Sequence, residues 1–426
     1  MHLKPVSRAA LALVSLFAAS RVFADVVETK NGARIVGKVD KIEGGSVVVD
    51  TDYAGTLKIK QSEVAGIQTD APVTVRLQDG TRMAGRVSTS NGSVQVTGEA
   101  ATITTSVDKV AASWKVGGTD PDIAALERWR RAGYDMISLT VAGDDQNIGE
   151  AFRRVAAARR AVLARPETLR LVHDASEIAA ARAEGRLAVG LHFEGTRCFE
   201  RDLDVIEAFV RLGVRHTLLA FNSANSAGAG CAEKVDGGLT PHGRRLVAEM
   251  QRVGMLLDLS HVGYRTSMDA IDAATRPVMF SHSNADAVAP SFRNLKDEQI
   301  RACAATGGVI GISASSAYLG DWEVRPETLF RHLDHIVALV GPEHVGLGLD
   351  VVIDAEAVTR IARSRPDQWP MATDPDWPGF RYLQPEQLPR LVEIMLDHGY
   401  GEAAIRAILG ENHLRVCGRA WEGGPD

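Results

Sequence analysis

The stretch Gly254-Met-Leu-Leu-Asp-Leu-Ser-His261 and its echo Arg276-Pro-Val-Met-Phe-Ser-His282 decide the fold of this 426-residue chain. Each is a short apolar run closed by a histidine, the pattern of a buried parallel strand. A strand that ends in an imidazole presents it at the C-terminal rim of a β/α barrel, where such folds gather their chemistry. Five more apolar runs alternate with amphipathic segments: Met136 to Val141, Leu187 to Phe193, His216 to Phe221, Gly308 to Ile312 and His344 to Leu349. Thr240-Pro241 reads as an N-cap followed by proline at the first helical position. Between Glu327 and Val340, the residues Leu329, Leu333, Ile336 and Val340 recur at helical spacing. The alternation predicts an α/β fold, a TIM-like (β/α)8 metallohydrolase barrel. Seven strands are counted, so the eighth is expected from Lys109 to Val116, or the barrel lacks a regular first strand.

Upstream of the barrel the period changes. Val27 to Val39 (VETKNGARIVGKV) aligns with Val75 to Val87 (VRLQDGTRMAGRV), with Asn31-Gly32 over Asp79-Gly80. Asn-Gly and Asp-Gly between alternating residues signal tight hairpins, because their central positions need positive φ. Residues 25–112 therefore read as a small all-β repeat module that resembles the SH3-like repeats of some bacterial envelope proteins. Before it, Lys4 and Arg8 precede the apolar run Ala9 to Ala19, and Val22-Phe23-Ala24 offers the small residues of a cleavage site. Residues 1–24 are expected to be a signal peptide, 25–112 the β-module and 113–426 the barrel, in a protein exported to the periplasm. The apolar run is shorter than the ~20 residues a membrane-crossing helix needs, and no transmembrane segment is expected. Export would permit a disulfide, and Cys198 and Cys231 fall in neighbouring rim loops, which suggests a bridge between them.

A net charge of −6, with Lys and Arg dispersed, gives no electrostatic footprint for nucleic acid. The residues at the expected strand ends are Glu194, Asn222, His261, His282 and Asp350. Neutral imidazole and carboxylate are good zinc ligands, so a Zn²⁺ site is expected there. His192, two residues before Glu194, faces the barrel interior as a core histidine or an extra ligand. His332 and His335 fit a solvent-facing helical stripe, and His173, His242, His398 and His413 read as surface residues.

Taken together, several spaced segments resemble the membrane dipeptidase family (renal or microsomal dipeptidase) of zinc peptidases. They are Gly238-Leu-Thr-Pro-His-Gly, the two histidine strands, Arg293-Asn294, Gly307-Gly308-Val-Ile-Gly, His344-Val-Gly-Leu-Gly-Leu-Asp350 and Ile408-Leu-Gly-Glu-Asn-His-Leu-Arg415-Val. The similarity runs over about residues 117–421. It implies an amidohydrolase-like barrel in which Glu194 bridges zinc ions, His261 and His282 ligate the second ion, and Arg293 grips a substrate carboxylate. It further implies that Asp350 orients the attacking water or handles its proton, and that Asn222 lies at the substrate. The chain departs from the family at two places. The His-x-Asp pair that ends the family's first strand has no counterpart, since no histidine occurs between His2 and His173. In addition, the family's oxyanion-stabilising histidine is Phe221 here. The expected function is a zinc-dependent dipeptidase with one or two ions and a dipeptide substrate. The alternatives are a non-catalytic envelope barrel that binds a partner, or a further copy of itself, through the β-module, and a mononuclear amidohydrolase of other specificity.

Overall fold

Valines at alternate positions build the N-terminal sheet. In the computed structural model, which describes residues 25–422 except 80, 91, 99–100, 117–120 and 353–354, Val94 and Val96 turn into a dry interior while Gln95 between them does not. The leader expected at residues 1–24 lies outside the described residues. The strands are β1 (Asp25–Thr29), β2 (Arg34–Glu43), β3 (Ser46–Thr51), β4 (Gly55–Lys60), β5 (Val64–Gln68), β6 (Val73–Leu77), β7 (Arg82–Ser90), β8 (Ser93–Thr97), β9 (Thr102–Thr105) and β10 (Val110–Lys115). They pair antiparallel in the order β4-β3-β2-β10-β6-β7-β8-β9, with β1 joining β2 to β5. At the β1–β2 turn Gly32 takes φ +87°, as the Asn-Gly signal requires, and donates to the Thr29 carbonyl. Fourteen buried residues, all valine or isoleucine, fill the interior.

The second sheet is parallel. Its strands are β11 (Met136–Gly143), β12 (Leu169–Leu171), β13 (Leu187–Glu194), β14 (Val214–Leu218), β15 (Leu256–Asp258), β16 (Met279–Phe280), β17 (Val309–Ile312) and β18 (Val345–Leu347). The order is β11-β13-β14-β15-β16-β17-β18, with β12 against the start of β13. Helices lie between the strands, as expected. Pro241–Arg252 begins on Thr240, whose hydroxyl accepts from Gly243 N, and Pro326–Val340 buries Leu329, Leu333 and Ile336. The result is an α/β protein whose β/α units form a parallel half-barrel.

Three expectations are corrected. The Lys109–Val116 segment does not enter the barrel: its strand β10 pairs antiparallel with β6, Ser113 opposite Val75 and Trp114 opposite Thr74. The eighth parallel strand is the three-residue β12, and among the described residues nothing pairs with the outer edges of β11 and β18. No Cys198–Cys231 bridge forms; all four cysteines are free, and Cys231 Sγ instead donates to Asn222 Oδ1 at 3.3 Å. His332 is not solvent-facing. It is fully buried, accepting from Ala285 N and donating to the Leu319 carbonyl, and His242 is buried as well. Among the described residues no helix is long and apolar enough to cross a membrane.

Candidate metal centre

The two histidine strands are tied to each other before they present their rings. Asp258, the last residue of β15, is fully buried, and its Oδ1 accepts from Ser260 N and Ser281 N, both at 3.0 Å. One carboxylate oxygen thus fixes the chain on both sides just ahead of His261 and His282. Beyond it, His261 adopts φ +65°, a conformation costing a non-glycine residue about 1–2 kcal/mol. Asp350 does the same at φ +56°. Such strain persists only where surrounding contacts impose it, and here it falls on two of the residues that the sequence assigns to chemistry.

The rings meet tip to tip, His261 Nε2 and His282 Nε2 lying 3.0 Å apart. Each is held from behind: His261 Nδ1 lies 2.6 Å from Asn222 Oδ1, and His282 Nδ1 lies 2.7 Å from Ser281 Oγ. An amide oxygen can only accept, so His261 carries its proton on Nδ1 and turns an unshared pair toward His282. The carboxylates of Glu194 and Asp350 close the ring, each offering an oxygen within 4.8 Å of a His282 ring nitrogen and of each other. The structure brings Glu194, His282 and Asp350 into one group, and His261 reaches it through His282.

Electrostatics fit a cation. Burial, then the Arg293 guanidinium, holds both imidazoles below their ordinary range, His282 at about 3, so both are neutral donors of electron pairs. Burial and the neighbouring Asp350 push Glu194 up, and burial pushes Asp350 up against the opposing pull of Arg293. Two neutral ring nitrogens facing at contact distance beside two crowded carboxylates is a set that a divalent ion relieves. Ligands at the usual ~2.0–2.1 Å around tetrahedral zinc stand roughly 3.3 Å apart, close to what the rings show. The donor set therefore fits Zn²⁺.

The remaining candidates occupy the surroundings. Asn222 is fully buried behind His261 rather than open to a ligand on the solvent side. Arg293 is 4 % exposed, donates to Ser283 Oγ (2.8 Å) and the His282 carbonyl (2.6 Å), and has no partner for Nε. Phe221 stacks on the His261 ring at 4.2 Å and meets Trp369 edge-on, with no polar atom to offer an oxyanion. His192 stays outside the ligand group, bonded to Ser138 and Thr140. Asp144 escaped the sequence reading altogether. Its carboxylate accepts from Arg197 N, Phe221 N and Asn225 Nδ2, joining the loops after β11, β13 and β14 at the mouth of the site. Only its place just past the apolar run Met136 to Val141 could have flagged it.

The comparisons with known proteins now bear on this geometry. The sequence profile of the membrane dipeptidase family (peptidase family M19) matches residues 86–359. The chain belongs to the membrane dipeptidase family. An uncharacterised protein encoded in the pqqA 5′ region of Klebsiella pneumoniae is 31% identical over 265 residues, covering 60% of this chain and 90% of that one. Among solved structures, an amidohydrolase of Pseudomonas aeruginosa superposes with TM-score 0.65 at 25% identity, over 71% of this chain and 94% of its own. A metallopeptidase of Rhodobacter sphaeroides, solved with a phosphinate mimic of L-Ala-D-Ala, superposes with TM-score 0.54 at 28% identity, over 67% and 77% of the two chains. Membrane dipeptidases are metallopeptidases, and the Glu194, His282 and Asp350 cluster is where this member has ligands to hold a metal.

Proposed function

We propose that this chain is an exported zinc dipeptidase that holds one ion between His261 and His282, with Glu194 and Asp350 completing the site. The observation that carries the reading is the 3.0 Å approach of two neutral Nε2 atoms, each backed by a fixed Nδ1 partner. A zinc ion there supplies Lewis acidity and an acidified water. Asp350, crowded against Glu194, is the carboxylate placed to receive a proton from the attacking water and return it to the leaving amine. Arg293 contributes a fixed positive charge and an unspent Nε–H toward the free carboxylate of a dipeptide. Phe221 removes the hydrogen-bond donor that the family uses at that point, and losing an oxyanion donor costs on the order of a hundredfold in rate. The reading therefore favours slow turnover over none.

The test is a panel of dipeptides, including D-configured C-terminal residues, assayed with zinc-loaded protein and with Asp350→Asn. Measurable release of free amino acids by the wild type, reduced at least ~100-fold in the variant, is the expected result. Turnover equal in the two proteins removes Asp350 from the reaction, and no turnover on any dipeptide ends the dipeptidase reading.

A further inference from the structure

Deeper in the half-barrel, below the histidine pair, the inward side chains of β11, β13 and β14 and the end of β15 form a connected row that the metal chemistry leaves unused. Thr140 Oγ1 lies 3.0 Å from His192 Nε2, His192 Nδ1 lies 2.9 Å from Ser138 Oγ, and Ser138 Oγ lies 3.0 Å from His216 Nε2. His216 Nδ1 then faces Asp258 Oδ2 at 3.4 Å, within ion-pair distance, and neither atom has a hydrogen-bond partner. The two imidazoles stack 4.4 Å apart and 9° from parallel, so neither ring can turn without displacing the other.

The row admits a proton order that leaves His216 Nε2 free to accept from Ser138; Thr140 Oγ1 also stands 3.4 Å from Glu194 Oε1, at the edge of the metal site. Asp258 Oδ1 already accepts two backbone N–H groups, from Ser260 and Ser281, a setting that favours the ionised carboxylate, which only accepts. His216 therefore carries its proton on Nδ1 and turns the Nε2 lone pair to Ser138, whose hydroxyl donates to it. His192 donates from Nδ1 to the same oxygen and takes the Thr140 hydroxyl hydrogen on Nε2. These tautomers are assigned from the network's acceptor-only end. Ser138 is exposed, because β11 is an edge strand with no described neighbour on its outer side, whereas His192 and His216 are each 8% exposed behind it.

We propose that Ser138, His216 and Asp258 form a second, metal-independent acyl-transfer site, entered through the open edge of the half-barrel and suited to a small carboxylic ester. A hydroxyl within hydrogen-bond reach of an imidazole, itself faced by a buried carboxylate and held by a stacked ring, is close to the arrangement that makes serine a nucleophile. Ser138 Oγ bonds to the ester carbonyl carbon while its proton passes to His216 Nε2. The carbon–oxygen bond to the alcohol then breaks and the alcohol leaves with that proton. Water attacks the acyl-serine, its proton goes to His216, and Oγ departs with it, releasing the carboxylic acid. Beside Ser138 Oγ the row offers one further N–H donor, His192 Nδ1, and so sparse a supply of donors suits an ester with a good leaving group rather than an amide. The proposal does not depend on the dipeptidase reading.

The test is covalent labelling of the full-length protein by a fluorophosphonate, with zinc present and after chelation. The expected result is a single adduct on Ser138 in both conditions, absent in Ser138→Ala, and formed at least ~10-fold more slowly in His216→Gln. A thermal melt checks that each variant is folded. Should His216→Gln not fold, Ser138→Cys serves instead, its new thiol alkylated by iodoacetamide faster than the four native cysteines. An unlabelled Ser138 in the wild type overturns the proposal, as does labelling equally fast in folded His216→Gln, or an introduced thiol no more reactive than the native ones. Metal content read on the same samples keeps this outcome separate from the fate of the zinc site.

Discussion

At the scale of single residues, the site depends on groups that aim the ligands as much as on the ligands themselves. Asn222 fixes the tautomer and the tilt of His261 from 2.6 Å away, and its oxygen is shared only with the weak Cys231 thiol donor. Partners of this kind typically contribute 10–100-fold to metal affinity. Asn222→Ala should thus weaken zinc binding by roughly that factor with little change in fold, measured by competition against a chromogenic chelator. Unchanged affinity would show that the Phe221 ring packed on His261 suffices to hold it. The ligand-type residues were legible in sequence because each closes an apolar run. The orienting bonds were not, since Asn222 and His261 are 39 positions apart and meet only after two strands pair. Nor does a sequence announce that His261 and Asp350 adopt positive φ, because neither residue type demands it.

At the scale of elements, short strands are placed by close backbone contact. The carbonyl of Ser281, next to His282, is approached closely by two glycines, Gly311 in β17 and Gly348 just past β18. A Cβ on Gly311 would lie 2.1 Å from it and one on Gly348 1.6 Å from it. Only glycine lets the segment carrying Asp350 approach the one carrying His282 so nearly. Gly348→Ala should cost about 3 kcal/mol or more and lower zinc content with it, read from urea unfolding midpoints and metal analysis. A variant as stable and as well loaded as the wild type would mean that the mouth is more pliable than these contacts imply. The glycines of His344-Val-Gly-Leu-Gly-Leu-Asp350 were visible as a motif, but their reason is distant in sequence: Gly348 faces the Ser281 carbonyl and Gly346 faces the His413 ring. The hairpin at Asn31-Gly32 was fully legible, because there the turn chemistry is local. The segment at Lys109 to Val116 was misplaced for the converse reason. A short, partly apolar strand suits either sheet, and its partner β6 is chosen by long-range pairing that no local signal encodes.

At the scale of the whole molecule, the antiparallel sheet precedes a half-barrel in which β11 and β18 keep free outer edges among the described residues. The two sheets are coupled directly: Arg154, on a barrel helix, donates to the Gln78 carbonyl of the N-terminal sheet at 2.6 Å. Asp25 at the start of β1, the residue that the leader reading places at the mature N-terminus, accepts from Val39 N and Asp70 N, both at 2.8 Å. That reading predicts that protein recovered from the periplasmic fraction has Asp25 as its first residue by intact mass. A recovered chain still carrying residues 1–24 would contradict it. The succession of two parts with different periods was readable from the repeat, the turn signals and the apolar patterning, whereas the half-open form of the second was signalled only by the count of seven strands.

If imidazoles 261 and 282 share one divalent ion, the metal content of the protein follows them. In protein purified without added zinc, compared with His261→Ala and His282→Ala, about one zinc per chain is expected in the wild type and close to none in either variant. Full metal content in both variants, or a folded wild type that takes up no divalent ion when zinc is supplied, would contradict a shared ion.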